Sequence, residues 1–277
     1  MDFILWLIAL IYIYIFIIYA PSIRIRKAKW FKHHYAHRGL FDEKIIENSL
    51  EAFKAAIDHG YGIELDVQCT LDGEVVVFHD ASLKRLCSNP AVIGDTPYQT
   101  LQAFRLLNTS SKIPTLTETL ELVSSQVPLI IEIKHSYQRK KVVKKILEVL
   151  KGYPGPFSIC SFDPFIVRQV RKQNKKILRG QLIESYKSST TIKGFSRIML
   201  EYAFLNLLTR PDYISIRYDY TNLSYKVHRL LGGYGVMWPI SNQNDEDKIK
   251  TKCDVIIFEQ YRPTTESSLV NQPKPVE

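Results

Sequence analysis

Two histidines and two carboxylates offer the clearest chemistry in the chain, and all four fall between positions 37 and 79. They are His37, Glu64, Asp66 and His79. Glu64 and Asp66 are two positions apart in an apolar run typical of a β-strand, so their side chains point to the same face. Two hard oxygen ligands aimed at one point favour a divalent cation, and imidazole can accept or donate a proton near neutral pH.

The dipeptide Asp72-Gly73 predicts a hairpin between these residues, because a two-residue turn needs the positive φ angles that Asp-Gly tolerates. Counting outward from such a turn pairs Asp66 with His79. Directly opposed residues share a face, so this register predicts that His79 lies beside the carboxylates. It also predicts that Asp66 orients the imidazole and raises its pKa, as suits a proton donor. A slip of one residue would turn His79 to the other face.

Eight apolar segments alternate with helical patterns, and this regular alternation predicts an α/β fold, a closed (β/α)8 TIM barrel. The predicted strands span residues 33–37, 62–67, 129–134, 157–162, 177–183, 213–218, 236–240 and 255–258. Active sites of such barrels lie at the C-terminal ends of the strands, where these candidates fall: His37, Glu64, Asp66, Glu132, Lys134, Ser161 and Trp238. Residues 80–113, with little periodicity, are predicted as a small insertion after the hairpin.

The ordered motifs resemble those of the glycerophosphodiester phosphodiesterase family, in the phospholipase C-like phosphodiesterase superfamily. The matching motifs are H-R-G at 37–39, E-N-S at 47–49, E-L-D at 64–66, T-L-D-G at 70–73, H-D at 79–80, I-P-T-L at 113–116, E-I-K at 132–134, S-F at 161–162 and the tryptophan at 238. They define a barrel domain over residues 33–263. Ile46 and the segments at 238–242 and 258–263 depart from the family pattern, which leaves open which alcohol the cleft accepts.

The resemblance implies metal-dependent hydrolysis of glycerophosphodiesters to sn-glycerol 3-phosphate and an alcohol, in phospholipid and glycerol metabolism. The implied ligands of one Mg²⁺ or Ca²⁺ ion are Glu64, Asp66 and Glu132. The implied general acid and base are His37 and His79, in an order that the sequence leaves open.

Two cations and a tryptophan complete the predicted site. Arg38 suits bidentate binding of a phosphate, and Lys134 adds a second point charge. In a competing interpretation the carboxylates have only a structural role, in a buried ion pair with Lys134 or Arg38. Against it, three carboxylates facing two cations would still repel one another without a metal. Trp238 either forms an apolar wall for the substrate or fills the core, and Asn48 either caps a helix or takes part in catalysis.

Residues 3–20 are eighteen uncharged, mostly apolar residues, which as a helix would just cross a bilayer. Five cations follow: Arg24, Arg26, Lys27, Lys29 and Lys32. By the positive-inside rule this predicts a single N-terminal transmembrane anchor over 1–22 and a basic juxtamembrane segment over 23–32, with the catalytic domain in the cytoplasm. A cleaved secretory signal is the alternative, but it would place basic residues before the apolar run.

Charge and cysteine content narrow the partners and the compartment. With 37 Lys and Arg against 28 Asp and Glu, the net charge of +9 favours phosphate esters or an anionic membrane surface. Nucleic acid is not predicted as a partner, because no zinc-finger spacing or RNA-binding aromatic motif occurs. The 4 cysteines form no C-x-x-C pair, which is typical of free thiols in a reducing compartment. The polar stretch 264–277 is predicted to be disordered.

Two other functions fit the same residues. A lysophospholipase D would use this site on a lysophospholipid still in the membrane, and it would need an apolar groove near Trp238. A catalytically silent, membrane-tethered scaffold that binds phosphate would be expected to lack a ligand or a histidine, and all of them are present.

Overall fold

Parallel strands close into a barrel in the computed structural model, which describes residues 2–18 and 23–263. The strands in the described residues are β1 (His34–Ala36), β2 (Gly62–Cys69), β3 (Val75–Val77), β4 (Leu129–Ile133), β5 (Phe157–Ser161), β6 (Leu178–Ile183), β7 (Tyr213–Arg217), β8 (Tyr234–Ile240) and β9 (Val255–Phe258). Parallel pairing runs through all of them except β3, which is antiparallel to β2, and β1 pairs with both β9 and β2 to close the ring. The predicted (β/α)8 barrel and its eight strands are therefore confirmed.

Helices connect the strands along the outside of the barrel. They are α1 (Asp2–Ile18), α2 (Ile23–Lys27), α3 (Leu50–Asp58), α4 (Lys84–Cys87), α5 (Tyr98–Leu101), α6 (Leu116–Val123), α7 (Arg139–Leu150), α8 (Pro164–Gln173), α9 (Gly194–Glu201), α10 (Asn206–Thr209), α11 (Leu223–Leu230) and α12 (Gln243–Ile249). Polar residues that accept a backbone N–H begin several of them, and these caps are Ser49, Thr115, Asp163, Asn222 and Asn242. The helical segment between β6 and β7 is divided into α9 and α10, because Ala203 has φ +57° and ends the helical path.

The segment after α1 closes the N-terminal end of the barrel. Ile25 in α2 and Phe31 in the following 3-10 turn are fully buried against the aromatic and aliphatic side chains inside the ring. Burial of each such side chain contributes about 1.5–3 kcal/mol. Arg24 forms an ion pair with Asp212 at 2.7 Å. The basic segment predicted over 23–32 thus packs on the barrel itself.

The insertion after β3 has an apolar core of its own. Its buried side chains, with neighbours from the hairpin and the loop before α3, are Ile46, Val76, Phe78, Leu83, Leu86, Ile93, Leu101, Leu106 and Ile113. This cluster holds α4 and α5 against β3, on one side of the barrel mouth.

The register of the β2–β3 hairpin differs from the prediction by one residue. Val67 pairs with Val77, whereas a two-residue turn would pair it with Phe78. The loop instead has three residues, 71–73, and it ends at Gly73 with φ +88°. The Thr70 N–H donates to the carbonyl of Glu74 at 2.9 Å, which closes this longer loop.

A distant contact explains why the turn is longer. The Asp72 carboxylate accepts a hydrogen bond from the Tyr98 N–H at 3.1 Å, at the start of α5, as well as one from the Thr70 hydroxyl. Asp72 therefore joins the turn to the insertion and does not form the first position of a two-residue turn.

The transmembrane span predicted over residues 3–20 is not found. Helix α1 has 17 residues, and no helix within residues 2–18 and 23–263 is long and apolar enough to cross a membrane. The C-terminal end of α1 is built into the outer layer of the barrel: Ile18 is fully buried, and the Tyr14 hydroxyl lies 2.7 Å from the Ser224 Oγ of α11. Residues 19–22, and the tail predicted to be disordered over 264–277, lie outside the described residues.

Candidate active site

Three carboxylates converge at the mouth of the barrel. Asp66 on β2 pairs in register with Glu132 on β4, so both side chains and that of Glu64, two residues earlier, enter the same space. One oxygen from each of the three lies within 4.8 Å of the others, and all three residues are buried. The predicted metal ligands are therefore together, as an all-oxygen set of the kind that hard divalent cations prefer.

Cations beside the carboxylates neutralise only part of their charge. The Lys134 Nζ lies 2.6 Å from Glu132 and 3.2 Å from Asp66, and the Arg38 Nε lies 3.5 Å from Asp66. The ion pairs of the competing interpretation therefore exist. Burial nevertheless raises the pKa of Glu64 well above its usual range, and the negative charges of Asp66 and Glu132 raise it further.

The pKa values of the other two carboxyls move in opposite directions. Burial raises the pKa of Glu132, although Lys134 opposes the shift. Burial also acts to raise the pKa of Asp66, but the charges of Lys134, His79 and Arg38 hold that pKa well below its usual range. When all three carboxylates are ionised, they carry one more negative charge than Lys134 and Arg38 supply, and this excess contributes to the raised pKa values of Glu64 and Glu132. A divalent cation would balance it, so the donor set fits the predicted metal.

The H-R-G segment makes a sharp turn at the end of β1. Arg38 and Gly39 have φ angles of +57° and +82°. A Cβ on Gly39 would also lie 2.8 Å from the Ala52 backbone in α3, so only glycine fits there. The turn directs the Arg38 N–H to Glu64 Oε2, at 3.1 Å. The Arg38 Nε is buried and makes no hydrogen bond within the described residues, and the Asp66 carboxylate lies 3.5 Å from it.

His37 is held by the barrel itself. Its Nδ1 lies 2.6 Å from Glu259 Oε2, and its Nε2 faces the cluster at 3.9 Å from Glu64 Oε2. Glu259 follows β9, the strand beside β1. Burial acts to raise the pKa of Glu259, but the hydrogen bond to His37 lowers it overall, so this carboxylate is ionised at neutral pH. Sequence reasoning missed Glu259, although its position directly after the last strand was a usable signal.

His79 is held by the hairpin and the insertion. Its Nδ1 lies 2.7 Å from Asp80 Oδ1. The Gln68 amide donates to the carbonyls of Phe78 and Asp80, each at 2.8 Å, and so clamps the backbone on both sides of the histidine. Because β3 ends at Val77, His79 lies beyond the paired strands and the rule of alternating faces does not apply to it.

Two details of the predicted His79 environment are wrong. The Phe78 N–H donates to the Asp66 carbonyl at 3.0 Å, so Phe78 rather than His79 stands opposite Asp66. Burial lowers the pKa of His79, and the attraction of Asp66 does not outweigh that burial. The Asp66 carboxylate does interact electrostatically with the His79 imidazole. The two groups are therefore near each other, as predicted, although the register that led to the prediction is wrong.

Arg85, in the insertion, connects the residues around Arg38 with those around His79. It donates to Glu47 at 2.7 and 2.8 Å and to Asp80 at 2.7 Å. Glu47 also accepts from Arg38 at 2.7 Å. A continuous chain of charged hydrogen bonds therefore runs from the H-R-G turn to His79. No pattern in the sequence pointed to Arg85.

Three further candidates have resolved roles. The Asn48 amide donates to Asp66 Oδ2 at 2.9 Å, while Ser49 caps α3, so Asn48 orients one of the predicted metal ligands. The Ser161 hydroxyl donates to the Ile133 carbonyl at 2.6 Å and supports the backbone only. Trp238 packs edge-on against Phe162, with ring centroids 5.5 Å apart.

A cavity of about 430 Å³ opens beside the cluster. Glu132, Lys134, Ser161 and Glu184 form its polar end, and a hydrogen-bonded group of His135, Arg139 and Asp163 also lines it. Its apolar wall consists of Ile133, Phe162, Pro164, Phe165, Tyr186, Ile192 and Leu200. Trp238 reaches this wall only through Phe162. The cavity therefore lies on the β4–β6 side of the mouth, and Trp238, near which a lipid substrate would need an apolar groove, does not line it.

An acidic cation site at the mouth of a βα barrel, with two carboxylate-held imidazoles beside it, defines a barrel of the metal-dependent hydrolase type. The model of the glycerophosphoryl diester phosphodiesterase family matches residues 37–207, more than half of the chain. The chain belongs to this family.

Individual relatives agree with this assignment. The chain is 34% identical over 164 residues to the glycerophosphodiester phosphodiesterase of Caldanaerobacter subterraneus subsp. tengcongensis, covering 54% of this chain and 65% of the relative. It is 32% identical over 143 residues to a lysophospholipase D of Rattus norvegicus, covering 46% of this chain and 44% of the relative. The match spans less than two thirds of the length of each of these relatives.

Solved structures agree with the fold. A phosphodiesterase of Oleispira antarctica, in complex with the product sn-glycerol 3-phosphate, superposes with a TM-score of 0.70 at 22% identity, over 86% of this chain and 97% of that one. The glycerophosphodiester phosphodiesterase of Thermotoga maritima gives a TM-score of 0.63 at 29% identity, over 81% and 92% of the two chains.

Proposed function

We propose that the chain hydrolyses glycerophosphodiesters to sn-glycerol 3-phosphate and an alcohol, with a divalent cation. The observation that carries the proposal is the convergence of Glu64, Asp66 and Glu132 within 4.8 Å, next to two imidazoles each held by its own carboxylate. This arrangement supplies what phosphodiester cleavage requires, namely charge neutralisation and two groups that move protons.

The three carboxylates would hold Mg²⁺ or Ca²⁺, which lowers the pKa of a bound hydroxyl and neutralises charge on the phosphate. Arg38 and Lys134 bind the remaining phosphate oxygens. His37, with Nδ1 fixed by ionised Glu259, accepts the proton of the attacking hydroxyl at Nε2, and Glu259 stabilises the resulting imidazolium. The attacking group is the free glycerol hydroxyl beside the phosphate, so a cyclic phosphate forms as His79 protonates the departing alcohol. Water then opens the cyclic phosphate to give sn-glycerol 3-phosphate.

The test is release of sn-glycerol 3-phosphate from glycerophosphocholine and glycerophosphoethanolamine by the full chain. Chelation should abolish the release, and Mg²⁺ or Ca²⁺ added back separately should restore it and identify the metal. Glu121→Gln, an exposed position on α6, is the control that should retain activity. Binding of glycerol 3-phosphate without any turnover would favour the silent scaffold instead.

The apolar cavity supports lysophospholipase D activity as the second candidate. Its wall suits an acyl chain better than a water-soluble head group, and its polar end includes the ligand Glu132. Choline release from lysophosphatidylcholine, compared with release from glycerophosphocholine, distinguishes the two activities.

We also infer that the chain associates with the cell membrane, with the barrel on the cytoplasmic side. The support is the exposed apolar surface of α1, which gains free energy on leaving water. Protease added to intact cells should leave the barrel uncut, and recovery in the membrane fraction should require α1. Digestion from outside, or a mature chain that begins near residue 21, would overturn this orientation.

A further inference from the structure

Helix α1 rises past the catalytic face of the barrel. The Tyr14 hydroxyl lies 2.7 Å from Ser224, in the first turn of α11, which begins at the C-terminal end of β7. Arg24 reaches Asp212, directly before β7, at the opposite end of the barrel. Ile18 lies between these levels, because its carbonyl accepts from Asn206 in α10. Residues 3–13 therefore extend about 16 Å beyond Tyr14 on the catalytic side, at 1.5 Å per residue.

The projecting part of α1 is apolar and uncovered on every side. Phe3 is 79% exposed and Trp6 71%. The other exposed residues of this part are Ile4, Leu5, Leu7, Ile8, Leu10, Ile11, Tyr12 and Ile13. Apolar surface of this extent marks a site of interaction, because each such side chain gains about 1.5–3 kcal/mol on leaving water.

A second apolar surface lies on the same face, at positions that follow four consecutive strands. We name it the β4–β7 rim, and it consists of Tyr137, Phe165, Phe195, Ile198 and Leu223. Tyr137 is 92% exposed and Phe195 75%. The Tyr186 N–H donates to Glu201 at 2.7 Å, which fixes α9, and with it Phe195 and Ile198, beside the loop after β6.

Exposed cations lie among the apolar residues of the rim. They are Lys140, Lys187 and Lys193, and their ammonium groups form no ion pair within residues 2–18 and 23–263. Aromatic and aliphatic side chains mixed with lysines are typical of a surface that enters the headgroup layer of an anionic bilayer. The lysines favour an anionic occupant, and the exposed aromatic and aliphatic side chains between them favour a lipid surface over an acidic protein.

The rim adjoins the cavity beside the proposed metal site. Phe165 belongs to both, and Ile192 and Leu200 of the cavity wall flank the rim residues of α9. A chain that enters at the rim therefore meets the apolar wall of a cavity that also contains Glu132 and Lys134.

We propose that the β4–β7 rim, together with α1, docks on an anionic lipid bilayer, so that the catalytic face points at the membrane and receives a single-chain phosphodiester lipid directly from it. The proposal rests on the proposed function, because it names the source and class of the substrate for the same site. It adds which face of the barrel meets the membrane.

The test compares two substrates in variants of the full chain. Phe195→Ser and Ile198→Ser should each lower hydrolysis of lysophosphatidylcholine in phosphatidylserine-containing vesicles about tenfold, from lost apolar contact. Hydrolysis of soluble glycerophosphocholine should not change. The matched control is Leu230→Ser, because Leu230 is 86% exposed at the end of α11, on the opposite end of the barrel. Equal effects at Phe195 and Leu230, or no effect at either rim position, would overturn the proposal.

Hydrogen exchange separates failure of docking from failure of the function. Anionic vesicles should slow amide exchange in α9 and leave the end of α11 unchanged, whether or not the chain hydrolyses either substrate. Unchanged exchange in α9 would refute docking even in an active enzyme. Protection of α9 that needs no vesicles and grows with protein concentration would assign the rim to a second copy of the chain, and so refute the proposal too.

Discussion

The two imidazoles of the site are supported by different parts of the molecule. His37 is held by Glu259, and both residues directly follow strands that pair with each other in the barrel. His79 is held by Asp80 and by the Gln68 clamp, on a hairpin whose turn depends on the insertion. Closure of the barrel thus fixes His37, and the β2–β3 hairpin fixes His79, the second of the two proposed proton-transfer groups. A change in the insertion can therefore adjust His79 without disturbing the barrel.

Loss of a proposed metal ligand should have the largest effect on turnover, because it affects the chemistry at both His37 and His79. Asp66→Asn keeps the shape of the side chain but removes a charge that the metal requires. Loss of several kcal/mol of transition-state stabilisation should lower turnover on the order of 10³-fold. Calorimetric titration with Mg²⁺ or Ca²⁺ should show weaker binding, with the thermal midpoint used to verify folding. Activity that survives chelation, with no metal detectable by elemental analysis, would contradict the metal-dependent mechanism.

Removal of each imidazole should then distinguish their roles. His79→Ala should slow cleavage of glycerophosphocholine about 10²–10⁴-fold, because choline is a poor leaving group that needs protonation. A p-nitrophenyl ester needs little protonation, so it should lose much less. His37→Ala should slow both substrates alike, since both need the same activated nucleophile. Equal losses on both substrates in His79→Ala would transfer the acid role to His37.

Substitution of Glu259 tests whether His37, the imidazole held by the barrel, needs its carboxylate partner. Glu259→Gln leaves His37 with a neutral partner that no longer stabilises the imidazolium, so kcat should fall about 10–100-fold with little change in KM. Glu43→Gln, an exposed residue in the loop after β1, is the control. A change in KM alone would show that Glu259 shapes the substrate pocket rather than orienting the base.

Regular periodicity made the barrel predictable from sequence. Apolar runs at the strands and polar caps at the helices are local signals, and the strand boundaries agree within two residues. Glu64, Asp66 and Glu132 were predictable for the same reason, since each ends or nearly ends such a run. The order of motifs then assigned the family.

The missed features all depend on contacts between distant positions. Glu259 meets His37 across 222 positions, because the first and last strands are neighbours only after the barrel closes. The turn at Asp72 was misassigned because Tyr98, 26 positions later, engages its carboxylate. Helix α1 was predicted to span a membrane, yet its end packs on Ser224, 210 positions after Tyr14. Periodicity contains no information about such pairs.

The smallest expected effect is a shift of the pH profile of kcat. It concerns only His79, the imidazole held by the hairpin and the insertion. Burial acts to raise the pKa of Asp80, but hydrogen bonds from Arg85 and His79 lower it overall, so Asp80 is ionised at neutral pH. Burial lowers the pKa of His79, and the hydrogen bond to Asp80 opposes that shift. Asp80→Asn removes this opposition, so the pKa of His79 should fall further.

An acid must be protonated, so kcat is lost as the pH rises through the pKa of His79. The basic limb of the kcat profile should therefore move to lower pH in Asp80→Asn, by about one pH unit or less because Asp80 and its partners are partly exposed. Arg85→Ala removes a cation and leaves Asp80 in place, so it should move the same limb to higher pH. Glu259→Gln changes the partner of His37 and not that of His79, so it should leave this limb in place. Shifts of one sign in both Asp80→Asn and Arg85→Ala would mean that loosening of the loop, not charge at His79, controls the limb.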